Sequence, residues 1–319
     1  MKILVTGCAG FIGYHFCKNN FTKKKIQIVG VDNLNSYYSV SYKKKRLQEL
    51  KKNKKFKFYK VDLSDFKKLK KIFIKHKFDI VMNLAAQAGV RYSIEKPSEY
   101  FKSNFLGFFN IIELSRSQNV KKIFYASSSS VYGEKKNFPL KESQQISPTN
   151  TYSLSKKNNE EIAEIYSKYY NMNFIGLRFF TIYGEWGRPD MLILKYIIAI
   201  KRKKFFYLNN FGNHYRDFTY IEDAIKNLNV LVSKNHKKKN DIYNICSGKP
   251  INIQRVLQRL NQVFGKPKII KRNKQKADVF KTHGSNQKLK NFTKLRKYTS
   301  IEEGLNNLIS WFKLNKNLF

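Results

Sequence analysis

Apolar residues fall in short, unbroken runs along the first 180 positions, at 2–6, 26–31, 57–61, 79–84, 122–126 and 174–179. Continuous runs of this length predict strands buried on both faces of a parallel sheet. The segments between them, at 12–20, 40–52, 66–76, 104–118 and 152–170, are long enough for helices. Strands alternating with helices predict βαβ units, hence an α/β fold built on a doubly wound parallel sheet. Past residue 180 the rhythm changes, with Gly184, Gly187 and Pro189 interrupting it. Helical patterns follow at 191–201, 222–233, 251–264 and 301–314, with a polar loop at 209–215 and a strand at 242–245. This half predicts a smaller, mixed α/β domain. The expected division is 1–180, with 217–247 returning to that unit, and 181–319. The lysine-rich stretch 265–298 predicts no element.

Three motifs carry chemistry. The first is the glycine series Gly7, Gly10 and Gly13, directly after the first strand and opening a helix. Glycines there allow a tight turn and let a pyrophosphate approach the backbone, with the helix N-terminus facing the anion. Asp32 closes the second strand, where a carboxylate can hold both hydroxyls of an adenosine ribose. It would repel a 2′-phosphate, so NAD is favoured over NADP. The second motif is Tyr152 with Lys156, four residues apart and so on one helix face. A nearby ammonium can lower a phenol pKa and make it a usable general base. Pro148, Thr149 and Asn150 supply the helix start. The third is the serine run 127–130 at a strand end, where ligands of parallel sheets bind. A serine there can hydrogen-bond a sugar hydroxyl and share its proton with Tyr152.

Composition changes the picture little. Lys and Arg total 63 against 22 Asp and Glu, a net charge of +41. Lysines dominate and are spread along the chain, whereas nucleic-acid sites favour arginine forks. No nucleic-acid role is expected, and the excess reads as codon drift. Cys8, Cys17 and Cys246 are too scattered for a disulfide framework or a metal site, so no metal is expected and a cytoplasmic, reducing location is. No apolar run is long enough to span a membrane, and the glycines break any signal-peptide core.

Together these strings resemble the extended short-chain dehydrogenase/reductase superfamily, and within it the UDP-glucuronate 4-epimerases. The resemblance runs over nearly the whole chain. It is carried by TGCAGFIG (6–13), VDNLNSYY (31–38), NLAAQAGVRYSIEKP (83–97), SNFLGFFNIIE (103–113), YASSSSVYG (125–133), YSLSK (152–156), LRFFTIYGEWGRPDM (177–191) and RDFTYIEDA (216–224). It implies a Rossmann-type sheet, bound NAD, a UDP-sugar substrate and a homodimer. The implied reaction inverts C4 through a 4-keto sugar, with UDP-glucuronate giving UDP-galacturonate. Other UDP-hexose 4-epimerases and UDP-glucuronate decarboxylases stay open. The acidic pair of the related dehydratases is replaced by Ser129 and Ser130.

By position, the resemblance implies that Gly7, Gly10, Phe11, Ile12 and Gly13 line the pyrophosphate and that Asp32 holds the ribose. Asp62 and Leu63 would touch adenine, and Ala85, Ala86 and Gln87 would lie beside the cofactor. Asn104 would be structural. Ser128, Tyr152 and Lys156 would be catalytic, with Ser129 a close rival to Ser128 for the sugar. Thr181 and Arg188 would contact the substrate, Arg188 at its carboxylate, and Arg216 the diphosphate. Gln275 and Asp278 would reach the uridine ribose, although QKADV stands where the family carries a QPGDV-like string.

Overall fold

The computed structural model describes residues 1–23, 25–275 and 278–319. The first half alternates β1 (Lys2–Thr6), α1 (Phe11–Asn20), β2 (Gln27–Asp32), α2 (Val40–Lys51), β3 (Phe56–Lys60), α3 (Phe66–His76) and β4 (Ile80–Asn83). Two short helices, α4 (Tyr92–Glu95) and α5 (Pro97–Tyr100), lead through a π-helical turn (Phe101–Leu106) into α6 (Gly107–Ser117). Then come β5 (Lys122–Ser128), a 3₁₀ turn (Ser129–Tyr132), α7 (Thr151–Tyr170) and β6 (Asn173–Phe179). The rest comprises β7 (Thr181–Tyr183), α8 (Leu192–Lys201), β8 (Phe206–Asn209), β9 (Tyr215–Tyr220), α9 (Ile221–Ser233) and β10 (Asn240–Ile245). It ends with β11 (Pro250–Asn252), α10 (Ile253–Phe264), β12 (Ile269–Arg272), α11 (Gln287–Thr293) and α12 (Ile301–Leu314).

Seven strands form one parallel sheet in the order β10-β6-β5-β4-β1-β2-β3. This is the doubly wound sheet that the apolar runs predicted. Strand order reverses between β1 and β4, and at that switch point the loops leave in opposite directions and open a crevice. β10 joins the sheet beside β6 although some 60 residues of other structure intervene. β7, β9 and β11 form a second small sheet, and β8 pairs with β12 in a third.

The helices follow their apolar spacing. On α3, Leu69, Ile72, Phe73 and His76 are buried, the i, i+3, i+4, i+7 series of one helix face. Asp65 caps the helix by accepting the Lys68 N–H at 3.0 Å. That face packs with Ile111, Ile112 and Phe174 under one side of the sheet. The other side carries a larger core, including Tyr14, Phe16, Leu228, Leu231 and Phe312. Replacing a core phenylalanine such as Phe73 by alanine costs about 3–5 kcal/mol. Within 265–298, where no element was expected, β12 and α11 form. β12 is exposed along its length and held by main-chain pairing to β8, so it carries no burial pattern to read.

Candidate active site

A cavity of about 480 Å³ opens beyond the carboxyl ends of β1, β4, β5 and β6. Its first wall is mostly backbone. Gly7 has a φ of +67°, and a Cβ there would come 2.8 Å from the Ala85 nitrogen, so a side chain is excluded. A Cβ on Gly13 would lie 2.2 Å from the Gly7 carbonyl. α1 therefore starts against the loop itself. Its first turn has neither a capping side chain nor an acid, leaving its N-terminal N–H groups and the helix dipole for an anion. Gly7, Gly10, Phe11, Ile12 and Gly13 all line the cavity.

Asp32, Asp62, Leu63, Ala85, Ala86 and Gln87 continue that wall. Asp32 accepts the Ala9 N–H at 3.1 Å and the Leu34 N–H at 2.8 Å. Burial pushes its carboxyl pKa upward, against these hydrogen bonds and the Lys43 charge. Asp62 is fixed by Asn33 at 2.9 Å and by the Ser64 N–H at 2.9 Å. Asn104, in the π-helical turn, accepts the Gln87 N–H at 2.8 Å and donates to the Gln87 carbonyl and the Ser155 hydroxyl, each at 3.0 Å. It ties the loop after β4 to α7, the structural role its motif implied.

α7 begins with a capping box, Asn150 accepting the Ser153 N–H at 2.9 Å and Ser153 accepting the Asn150 N–H at 3.1 Å. Tyr152 and Lys156 thus stand on the first turns, facing the cavity. Ser128 is the last residue of β5, its hydroxyl accepts from Ser130, and it sits beside the Tyr152 phenol, whose pKa it pulls down. Ser129 begins the next turn and also lines the cavity. The Lys156 ammonium donates to the Ala126 carbonyl at 2.8 Å and lies 6.0 Å from the Tyr152 ring centre. The expected charge effect needs correction. Burial raises the Tyr152 pKa above its ordinary value, and the opposing contributions come from Ser128 and the Arg188 charge. Lys156 is itself pushed down to about 8 by burial, with Glu160 pulling it up.

The opposite wall is made of side chains. Thr181, Arg188, Arg216 and Asp278 line it. Arg188 binds Asp190 through two nitrogens, Nε to Oδ1 at 3.1 Å and Nη2 to Oδ2 at 2.5 Å, and lies 5.5 Å from the Tyr37 ring centre. Arg216 donates to the Tyr215 and Phe280 carbonyls at 2.9 and 3.1 Å, and burial brings its pKa down to about 10. Asp278 pairs with Arg91 at 2.5 Å. Gln275 does not belong here. It is exposed, outside the lining, and its carbonyl accepts the Asp278 N–H at 3.0 Å. Asp278 lines the wall and Gln275 does not.

Tyr37, Lys43, Arg91 and Asp190 were not foreseen. Lys43 lines the cavity and donates to Asn35 at 2.6 Å, yet it is one of many lysines in its stretch. Tyr37, Arg91 and Asp190 lie inside strings quoted for the resemblance, so their signal was present and their pairing was not.

The first wall fits a dinucleotide: a glycine cradle that a Cβ would fill, an uncapped helix start and a half-buried carboxylate at the end of β2. The fold and this wall define a dinucleotide-dependent α/β enzyme. Residues 3–246 match the NAD dependent epimerase/dehydratase family, and the chain belongs to that family. It is 39% identical to Protein CapI of Staphylococcus aureus, over 98% of each chain. It is 38% identical to the UDP-glucuronate 4-epimerase of Thermodesulfobacterium geofontis, over 99% of this chain and 97% of that one. A crystal structure of UDP-glucuronic acid 4-epimerase from Bacillus cereus, in complex with UDP-glucuronic acid and NAD, superposes with a TM-score of 0.91 at 28% identity, covering 99% of this chain and all of that one.

Proposed function

We propose that the protein is an NAD-dependent 4-epimerase of UDP-glucuronate, producing UDP-galacturonate. The observation that carries this reading is the placing of the Arg188 guanidinium in one cavity with the Ser128–Tyr152 pair. By exchanging its Asp190 partner, Arg188 can make a charge-assisted pair with a uronate carboxylate, which a neutral hexose lacks.

NAD, held by the Gly7–Gly13 loop and Asp32, would supply a hydride acceptor and donor for C4. The chain's own residues manage protons and position. Ser128 holds the C4 hydroxyl, and Tyr152 removes its proton and later gives it back. Lys156 orients the ribose of the dinucleotide and contributes positive charge. Arg216 holds the diphosphate while the keto sugar turns about that linkage. A 4-keto uronate loses CO₂ when its carboxylate bond aligns with the carbonyl. Arg188 and Thr181 hold the carboxylate off that alignment, which separates this reaction from decarboxylation.

Residues up to about 180, with the returning segment 217–247, would hold the dinucleotide, and the remainder the sugar; the pairing of β10 with β6 supports this division. The protein would act as a homodimer in the cytoplasm. Support for the dimer comes from an apolar surface on the π-helical turn, α6 and α7: Phe101, Leu106, Phe109, Leu154, Ile165 and Tyr169 are exposed, Tyr169 at 70%. Ile162 and Tyr166, on the same helix, pack inward instead. Among the described residues, no helix is long and apolar enough to cross a membrane.

The test is a proton NMR assay of the purified enzyme with UDP-glucuronate and UDP-glucose side by side. Inversion at C4 of the uronate is expected. Faster turnover of UDP-glucose, or a UDP-pentose as main product, would overturn the assignment.

A further inference from the structure

Beneath the floor of the cavity lies a polar cluster that the reaction does not itself use. Glu160 stands one turn past Lys156 on α7, so Tyr152, Lys156 and Glu160 share a face. Its carboxylate takes Arg178 of β6 at two points, Nη2 to Oε2 at 2.7 Å and Nε to Oε1 at 2.9 Å. The two side chains are 5% and 4% exposed. The Ser127 hydroxyl donates to the same carboxylate at 2.5 Å. Arg178 also donates to the Tyr132 hydroxyl at 2.9 Å and the Glu142 carbonyl at 3.2 Å. Tyr132 in turn donates to Asn244 of β10 at 2.7 Å. One carboxylate thus joins α7, the serine end of β5, and β6.

Stability alone is a weak reason for such a pair, because desolvation of two charges offsets most of their attraction. Its placement suggests another. Ser127 precedes Ser128, so anchoring its hydroxyl fixes where β5 ends and where Ser128 meets Tyr152. The groups facing the Lys156 ammonium are Tyr152 and Glu160 from its own helix and the Ala126 carbonyl from β5, with Arg178 of β6 behind Glu160.

We infer that Glu160, held by Arg178, is a positioning residue for the reaction: it clamps the serine end of β5 to α7 and sets a negative charge on the helix face it shares with Lys156. The inference rests on the 4-epimerase reading above. Burial, with Glu160 opposing it, brings the Lys156 pKa down to about 8. Removing that charge lowers it further, so the lysine turns neutral at a lower pH.

The experiment uses the full-length enzyme with its bound dinucleotide and follows UDP-glucuronate turnover against pH. Glu160→Gln should lower kcat about tenfold or more, as misplaced catalytic groups do, with KM nearly unchanged. Its alkaline limb should move down by about one pH unit. Glu160→Asp keeps the charge and should hold the limb near its original place. The double variant Glu160→Gln with Arg178→Gln leaves no unpaired guanidinium, so it keeps the test readable if the single variant fails to fold. It should show the same shift. An unmoved limb in the folded glutamine variants, or a kcat loss that merely tracks the folded fraction, would overturn the inference. Full turnover by Tyr152→Phe would instead overturn the underlying reaction, whatever the Glu160 variants show.

Discussion

The two walls of the cavity are built from different materials. The wall after β1, β2 and β4 is made of glycines, main-chain N–H groups and two carboxylates pinned by backbone. The wall from β7, β9 and the 278–282 segment is made of long charged side chains, several already paired: Arg188 with Asp190, and Asp278 with Arg91. A backbone wall keeps its shape whatever nearby side chains do, which suits a cofactor that stays bound. A wall of paired arginines can adjust its contacts by changing partners, which suits a sugar that must turn within the site. Between the walls stand Ser128, Tyr152 and Lys156, held by strand and helix ends.

Breaking the centre should cost most. Tyr152→Phe should leave dinucleotide and UDP-sugar binding nearly intact and cut turnover by about 10²–10⁴-fold. Steady-state kinetics with binding measured separately checks this, and turnover near the original level would remove Tyr152 from the chemistry. On the side-chain wall, Arg188→Ala should weaken UDP-glucuronate binding by about 1.5–3 kcal/mol. UDP affinity should barely move, because Arg216 is the proposed diphosphate contact. A UDP-pentose side product should also appear as the freed carboxylate rotates. Equal losses for UDP and UDP-glucuronate in calorimetry would place Arg188 at the nucleotide instead.

On the backbone wall, Asp32→Ala should relax discrimination between NAD and NADP by about 1 kcal/mol, the worth of a typical hydrogen bond. The effect is modest because the Ala9 and Leu34 N–H groups already occupy part of the carboxylate. Cofactor released from the denatured wild-type protein should be NAD; NADP would refute the role given to Asp32. The smallest effect belongs to Asp278→Asn. Its Arg91 partner is half exposed, so water screens the pair and about 0–1 kcal/mol of stability is at stake. A thermal melt shifted by many degrees would show that the pair holds the two walls together.

The two walls were unequally legible. Gly7, Gly10, Gly13 and Asp32 fall in one βαβ unit, where spacing alone places a turn, a helix start and a strand end. The positions of the first six strands followed from apolar runs. Asp190 and Arg91 were visible as letters, but their partners depended on how distant segments met: Arg91 and Asp278 are 187 positions apart. Lys43 and Lys156 are almost wholly buried in a chain with 63 basic residues, and no local pattern separates a buried lysine from a surface one.

The sequence by itself determined the alternating strands and helices of the first 180 residues, where α1 and α7 begin, and that a glycine cradle and a Tyr–Lys pair exist, because these depend on residues within a few turns of one another. Tertiary structure alone decided that Gln275 stays outside the cavity and that burial holds the Tyr152 pKa up. It also decided that Glu160 meets Arg178 and Ser127. Such outcomes depend on which surfaces exclude water from which charges, and that is settled when the sheet, its helices and the C-terminal segments close on one another.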